Sequence, residues 1–184
     1  MLLDPLEAVG RNREVFLKDT EAFRTEIFEE ISGTRVLIIG GAGSIGSSVV
    51  HEFLNYKPSA LHVVDINENN IVELMRELRI RNFEHPSELR IFAIDAGSVE
   101  FLALINQSKT YDYILNLSAL KHVRSEGDPY TLMRMIKVNV LNNISLLQNA
   151  KQKKTKKIFC VSTDKAVDPF NAMGASKRLM ELLL

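Results

Sequence analysis

The chain has 184 residues, the size of one ordinary domain, and its 46% apolar and 25% charged side chains suit a globular core. Formal net charge is 23 − 23 = 0, which excludes a global field toward nucleic acid or a membrane surface. One cysteine, Cys160, excludes an internal disulfide framework and fits a reducing cytoplasm, while no signal-peptide pattern opens the chain and no apolar run approaches the roughly 20 residues of a membrane span.

Residues 1–33 read as an N-terminal helical extension and residues 34–184 as one dinucleotide-binding domain. In the extension, Val15, Phe16, Phe23, Ile27, Phe28 and Ile31 recur near helical spacing. They predict one or two amphipathic helices over 13–31 that cover the domain or a neighbouring subunit, stopped by Gly33.

The next stretch, RVLIIGGAGSIG from Arg35 to Gly46, joins a buried strand to a glycine turn and a helix start. Gly40 permits the tight turn, Gly43 lets a pyrophosphate approach the backbone, and Gly46 allows the helix to pack closely. Ser44 and Ile45 open a helix whose N-terminus offers free N–H groups to phosphate. Ile45, Val49, Val50, Phe53 and Leu54 are its expected buried stripe. A second strand, Leu61–Val64, ends in Asp65, 19 residues past Gly46, where a ribose-binding carboxylate belongs. A carboxylate there accepts from a ribose 2′-OH and repels a 2′-phosphate, which favours NAD over NADP. Asn67, on the cofactor side, reads as the N-cap of a helix carrying Ile71, Leu74, Met75, Leu78 and Ile80.

His85-Pro86 breaks the chain before a third strand, Leu89–Ile94. Asp95 and Ala96 follow, and Asp95 reads equally as an adenine contact or a turn former. A short helix over 99–105 leads to a fourth strand, Tyr113–Leu117, which runs into Ser118 and Ala119. Asp128-Pro129 opens a long helix with Leu132, Met135, Ile136, Val140, Ile144 and Leu147 as core. Five lysines between Lys151 and Lys157 suit a solvated helix end, not nucleic acid, because no aromatics interleave. Ile158–Val161 is a fifth strand with Cys160 as a small buried residue, and a last helix starts near Met173 to Ser176. This α/β alternation predicts a Rossmann-like, doubly wound parallel sheet of order 3-2-1-4-5. Every polar cluster then falls at the carboxyl end of a strand, where such sheets bind ligands.

GGAGSIG, ALKHV (Ala119–Val123), STDKAVDP (Ser162–Pro169) and MGASKR (Met173–Arg178) together resemble the extended short-chain dehydrogenases. Within these the nucleotide-sugar 4,6-dehydratases of polysaccharide biosynthesis are most similar, from about Arg35 to the last residue. The resemblance implies NAD-dependent loss of water from a UDP-sugar, with UDP-N-acetylglucosamine as the type substrate. It implies that Thr163 (or Ser162) hydrogen-bonds the sugar C4 oxygen and that Asp164 protonates the departing C6 hydroxyl. Lys165 would be the base at C5, which calls for a pKa lowered by burial and by cations such as Lys177. Lys177 would bind the nicotinamide ribose, and Lys121 would reach the cofactor or the sugar diphosphate. Leu117, Ser118, Ala119 and Asn139 would complete the cofactor-binding set, and no metal is implied. A homo-oligomer is expected by the same analogy.

Two features depart from the pattern. Met173 stands where most short-chain dehydrogenases carry a tyrosine base, as in a branch linked to retention at C5. After ALKHV the chain has RSEGDP, one residue and a proline short of the commoner loop over the sugar. The family's substrate-binding part follows the GASK helix, and the chain stops at Leu184 within it. The expectation is a fragment that binds NAD and turns over no UDP-sugar alone. The alternatives are an epimerase or reductase of the same fold, or a non-catalytic dinucleotide-binding module.

Overall fold

The computed structural model describes residues 17–80, 86, 88–122 and 126–184. Val15, Phe16, His85, Val123, Arg124 and Ser125 lie outside the described residues. Strands β1 (Arg35–Ile39), β2 (Ala60–Asp65), β3 (Glu88–Ala93), β4 (Tyr113–Asn116) and β5 (Lys157–Cys160) form one sheet. All pairings are parallel and the order is β3-β2-β1-β4-β5, as the apolar runs predict.

Side chains alternate along β1 because a strand has period two. Val36 and Ile38 enter one core with helices α3 (Ser44–Asn55) and α4 (Glu68–Ile80). Leu37 and Ile39 enter the other, against α5 (Val99–Gln107) and α7 (Asn142–Lys153). A sheet covered on both faces needs apolar residues at every position of its central strand, and Val36–Ile39 are all fully buried. Each such side chain contributes about 1.5–3 kcal/mol by burial.

The N-terminal extension forms two helices, α1 (Leu17–Ala22) and α2 (Arg24–Ile31). Ile31 is buried and Ile27 packs on the core, whereas Phe23 and Phe28 stay exposed. Gly33 ends α2 in the left-handed region, φ 72°. Glu30 accepts from the Tyr113 hydroxyl and pairs with Lys157 at 3.2 Å, tying α2 to the first residues of β4 and β5.

The long helix predicted from Asp128 begins as α6 (Pro129–Ile136), with Asp128 Oδ2 accepting from Thr131 N at 2.8 Å. It does not run straight into α7. A π turn, Lys137–Leu141, intervenes and shifts the register of everything beyond it. Four expected core residues of these helices are exposed: Ile45 on α3, Met75 and Ile80 on α4, and Ile136 on α6. Ile80 ends its helix, where the packing surface has run out, and Ile45 faces the cleft described below. Cys160 is half-buried and not a sealed core residue; its thiol donates to Asn143 Oδ1 at 3.4 Å. The chain closes with α8 (Ala172–Leu183). Among the described residues no helix is long and apolar enough to cross a membrane.

Candidate active site

The β1–α3 connection is built around two glycines that nothing larger can replace. Gly40 takes φ 75°, and a Cβ there would sit 2.8 Å from the Ser118 amide nitrogen. A Cβ on Gly46 would strike the Gly40 carbonyl oxygen and lie 2.6 Å from Gly41 Cα. Gly43 is different: a Cβ would meet only Gly40 O at 3.6 Å, so the space above it is open. The N-terminus of α3 points into that space, with Ser44 and Ile45 at its mouth. This is a fitting cradle for a pyrophosphate.

Asp65, at the end of β2, is buried and fixed by its neighbours. Its Oδ2 accepts from Ala42 N and its Oδ1 from Asn67 N, both at 2.9 Å. The carboxylate therefore stiffens the glycine turn while facing a cavity of about 110 Å³. Asn67 caps α4, its Oδ1 accepting from Asn70 N at 3.0 Å. Asp95 makes a turn, its Oδ1 accepting from Gly97 N at 2.8 Å, and with Ala96 it also lines that cavity. The turn-forming role of Asp95 is therefore observed directly, and its place in the cavity lining is where an adenine contact would be made.

A second cavity of about 350 Å³ adjoins the first, because Gly40 and Ala119 line both. The two lobes make one cleft along the carboxyl edge of the sheet. Leu117, Lys121, Thr163, Lys165, Met173 and Lys177 line the larger lobe, and Ser118 the smaller. Lys177 is only 4% exposed; its ammonium donates to Val161 O at 2.9 Å, and burial pulls its pKa down. Met173, 3% exposed, lies one turn earlier on α8. Lys165 enters the same lobe but its side chain is exposed, so the burial expected for a C5 base belongs to Lys177 instead. Asp164 is exposed and does not line the lobe. The Thr163 hydroxyl and the Lys165 amide both donate to its Oδ1 at 2.9 Å, and these bonds, Thr163 first, lower its pKa.

Asn139 is completely buried on the π turn. Its Oδ1 accepts from Leu120 N at 3.0 Å, while its Nδ2 donates to Leu120 O and to Ser176 Oγ. Rather than facing the cleft, it clamps the loop after β4 to α8. Two further asparagines extend the clamp: Asn116 donates to Asn143 Oδ1 at 2.8 Å, and Asn143 donates to Asn139 O at 2.9 Å. Asn143, Arg134, Val138 and Asn142 were not singled out as site residues from the sequence, whereas Asn116 belongs to the polar cluster expected at the end of the fourth strand. Arg134, Val138 and Asn142 line the smaller lobe and recur every four residues, a helical spacing that could have found them. Glu126, also missed, accepts from Met173 N at 3.0 Å and so caps α8 from outside it. Among the described residues no group of three or more His, Cys, Asp or Glu side chains could hold a metal ion.

Known proteins resemble this chain over most of its length. It is 34% identical over 162 residues to an uncharacterized membrane protein of Methanocaldococcus jannaschii, covering 85% of this chain and 45% of that protein. It is 29% identical to the capsular polysaccharide biosynthesis protein CapD of Staphylococcus aureus, over 86% of this chain and 26% of CapD. A UDP-glucose 4-epimerase of Rickettsia bellii is 34% identical over 80% of this chain and 42% of its own length. The chain thus spans less than half the length of these relatives. Among solved structures, Pen of Bacillus thuringiensis superposes with a TM-score of 0.71 at 28% identity, over 83% of this chain and 46% of Pen. WbmF of Bordetella bronchiseptica, solved with NAD+, superposes at 0.63 with 22% identity, over 83% of this chain and 45% of WbmF, and has the same fold. Residues 36–184 match the polysaccharide biosynthesis protein family, to which this chain belongs.

Proposed function

We propose that this chain is the NAD-binding and catalytic part of an enzyme that dehydrates a UDP-sugar, UDP-N-acetylglucosamine foremost, to its 4-keto-6-deoxy form for polysaccharide biosynthesis. The observation that carries the reading is one cleft joining the glycine cradle to a lobe that gathers Thr163, Lys165, Met173 and Lys177. Asp65 favours a free ribose 2′-OH over a 2′-phosphate, which supports NAD. WbmF, solved with NAD+ and UDP, supports both the cofactor and the nucleotide. The lone Cys160 supports a reducing, cytoplasmic setting.

Bound NAD would supply a hydride acceptor and return the same hydride. The chain's own residues then have four tasks. Lys177, held by Val161 O, keeps a donor at the nicotinamide ribose. Thr163 turns its hydroxyl from Asp164 to the sugar C4 oxygen. That turn removes the bond that most lowers the Asp164 pKa, so the carboxyl can regain a proton and pass it to the C6 hydroxyl. Lys165 takes the C5 proton, and water leaves. Met173 has no proton to exchange, so the burden of deprotonating C4–OH falls on Lys165, Asp164 or a water.

An epimerase is the second reading, favoured by the 34% identity to UDP-glucose 4-epimerases. The products separate them: a 4-keto-6-deoxy sugar means dehydratase, and a C4 epimer means epimerase. Self-association is also proposed, because Tyr130, Met133 and Leu141 lie exposed along α6 and the π turn. The test incubates UDP-N-acetylglucosamine and NAD with the 184-residue chain and with a version extended by the coding sequence downstream of Leu184. Product NMR should show dehydration by the extended protein only. Turnover by the short chain, or full activity in an extended Lys165→Ala protein, would overturn the assignment.

A further inference from the structure

The smaller lobe of the cleft has a wall that the glycine turn and the two aspartates do not supply. It comes from the α6–π–α7 segment, where Arg134, Val138 and Asn142 stand four residues apart and all line the cavity. Asn142 is seated firmly: a Cβ on Gly97 would lie 2.6 Å from its Nδ2, so the Asx-turn after Asp95 leaves room only for glycine beneath it. Val138 adds an apolar step. Arg134 stands at the outer end of this row.

Three observations mark Arg134 as more than a surface cation. The helix does not end beside it, since the π turn continues the helical backbone without a break as far as α7, so there is no free helix C-terminus for it to neutralise. The two carboxylates in the same cavity are already engaged with backbone amides, Asp65 with Ala42 and Asn67, and Asp95 with Gly97. Among the described residues the Arg134 side chain makes no hydrogen bond or ion pair, although it lines a cavity that contains both. Apart from Ser118, the remaining side chains of the lining, among them Ile66, Ile94, Ala96 and Leu120, are apolar. A largely apolar slot with a planar guanidinium at its rim is suited to a purine, because guanidinium stacks on an aromatic face.

We infer that Arg134 is a cofactor-specificity residue that covers the adenine ring, with Val138 and Asn142 forming the wall behind it. The inference rests on the reading that the cleft binds NAD, and it places a recognition element for the base on the long helix, 94 residues from the glycine turn at Gly40. Stacking of this kind corresponds to about a 5- to 30-fold change in affinity.

Calorimetric titration of the purified chain with NAD, AMP, nicotinamide mononucleotide and 2′,5′-ADP tests it. Arg134→Ala should weaken NAD and AMP by about 5- to 30-fold and leave nicotinamide mononucleotide within twofold. Arg134→Lys should recover only part of the loss, since an ammonium does not stack as a guanidinium does. NAD and AMP affinities within twofold of the unaltered chain would overturn the inference, and so would an equal loss for nicotinamide mononucleotide. A loss for 2′,5′-ADP much larger than for AMP would also overturn it, by showing that Arg134 reads a phosphate and not the base. If the unaltered chain binds neither NAD nor AMP, the cofactor reading itself falls and takes the inference with it.

Discussion

His62 shows how one buried polar residue can carry a pH dependence of stability. It is 1% exposed in β2, between Tyr111 and Glu88. Its Nδ1 lies 2.6 Å from the Tyr111 hydroxyl and its Nε2 lies 3.0 Å from Glu88 Oε1. Tyr111 donating to Nδ1 and Nε2–H donating to Glu88 satisfies a neutral ring on both sides. Burial lowers its pKa, and the nearby Glu88 carboxylate only partly opposes this. The folded pKa thus lies below the unfolded value of about 6.5. Between the two, the unfolded chain binds the proton first, so stability is complete above about pH 6.5 and falls as pH drops toward the folded pKa. The carboxylates with lowered pKa values, Glu30, Glu88, Glu100, Asp164 and Glu181, titrate further into acid than this window. Urea midpoints at pH 7.5 and 5.5 should fall more steeply for the unaltered chain than for His62→Gln. Parallel slopes would show that His62 is not the titrating group.

At the scale of elements, the π turn is the least expected feature and the one on which the site depends. A π turn moves the backbone ladder from i+4 to i+5 and leaves a carbonyl to be satisfied by something else. Here the Asn143 side chain takes Asn139 O, and its own Oδ1 receives Asn116 Nδ2 and the Cys160 thiol. Asn143→Leu keeps the volume and leaves buried partners unpaired, which costs about 1–3 kcal/mol for each such group. We expect a clear drop in the urea midpoint and weaker NAD binding, while Asn143→Gln recovers little because the longer amide cannot hold the same three partners. An unchanged midpoint in Asn143→Leu would mean the clamp contributes nothing. None of this was legible beforehand, since Ile136, Val140 and Ile144 repeat at an ordinary α spacing and an extra residue per turn leaves no mark in apolar periodicity. The strands were legible because parallel strands buried on both faces leave unbroken apolar runs, as in Val36–Ile39. Ile45 was misread for the opposite reason: its position on α3 fits the core stripe, but the helix start faces the cleft instead.

Across the whole molecule, the two edges of the sheet are treated differently. At the amino edge α2 is tied down by Glu30 to Tyr113 and Lys157, and the Tyr113 hydroxyl, desolvated and bonded to that carboxylate, has its pKa pushed up to about 12. The carboxyl edge is left open as the two-lobed cleft, with its polar groups presented by five separate strand ends. A ligand long enough to fill both lobes would bridge the β2–β3 side of the sheet, through Asp65 and Asp95, to the β4–β5 side, through Lys121 and Lys177. Such a ligand binds the folded chain and not the unfolded one, so it stabilises by mass action, about 2.7 kcal/mol at a concentration 100 times its Kd. For a domain of this size that corresponds to a rise in Tm of roughly 5–10 °C. NAD should produce this rise, and at equal concentration AMP and nicotinamide mononucleotide should each produce less, because each engages one lobe. A thermal scan in which saturating NAD leaves Tm unchanged, or in which AMP alone matches it, would mean that the two lobes do not act as one site.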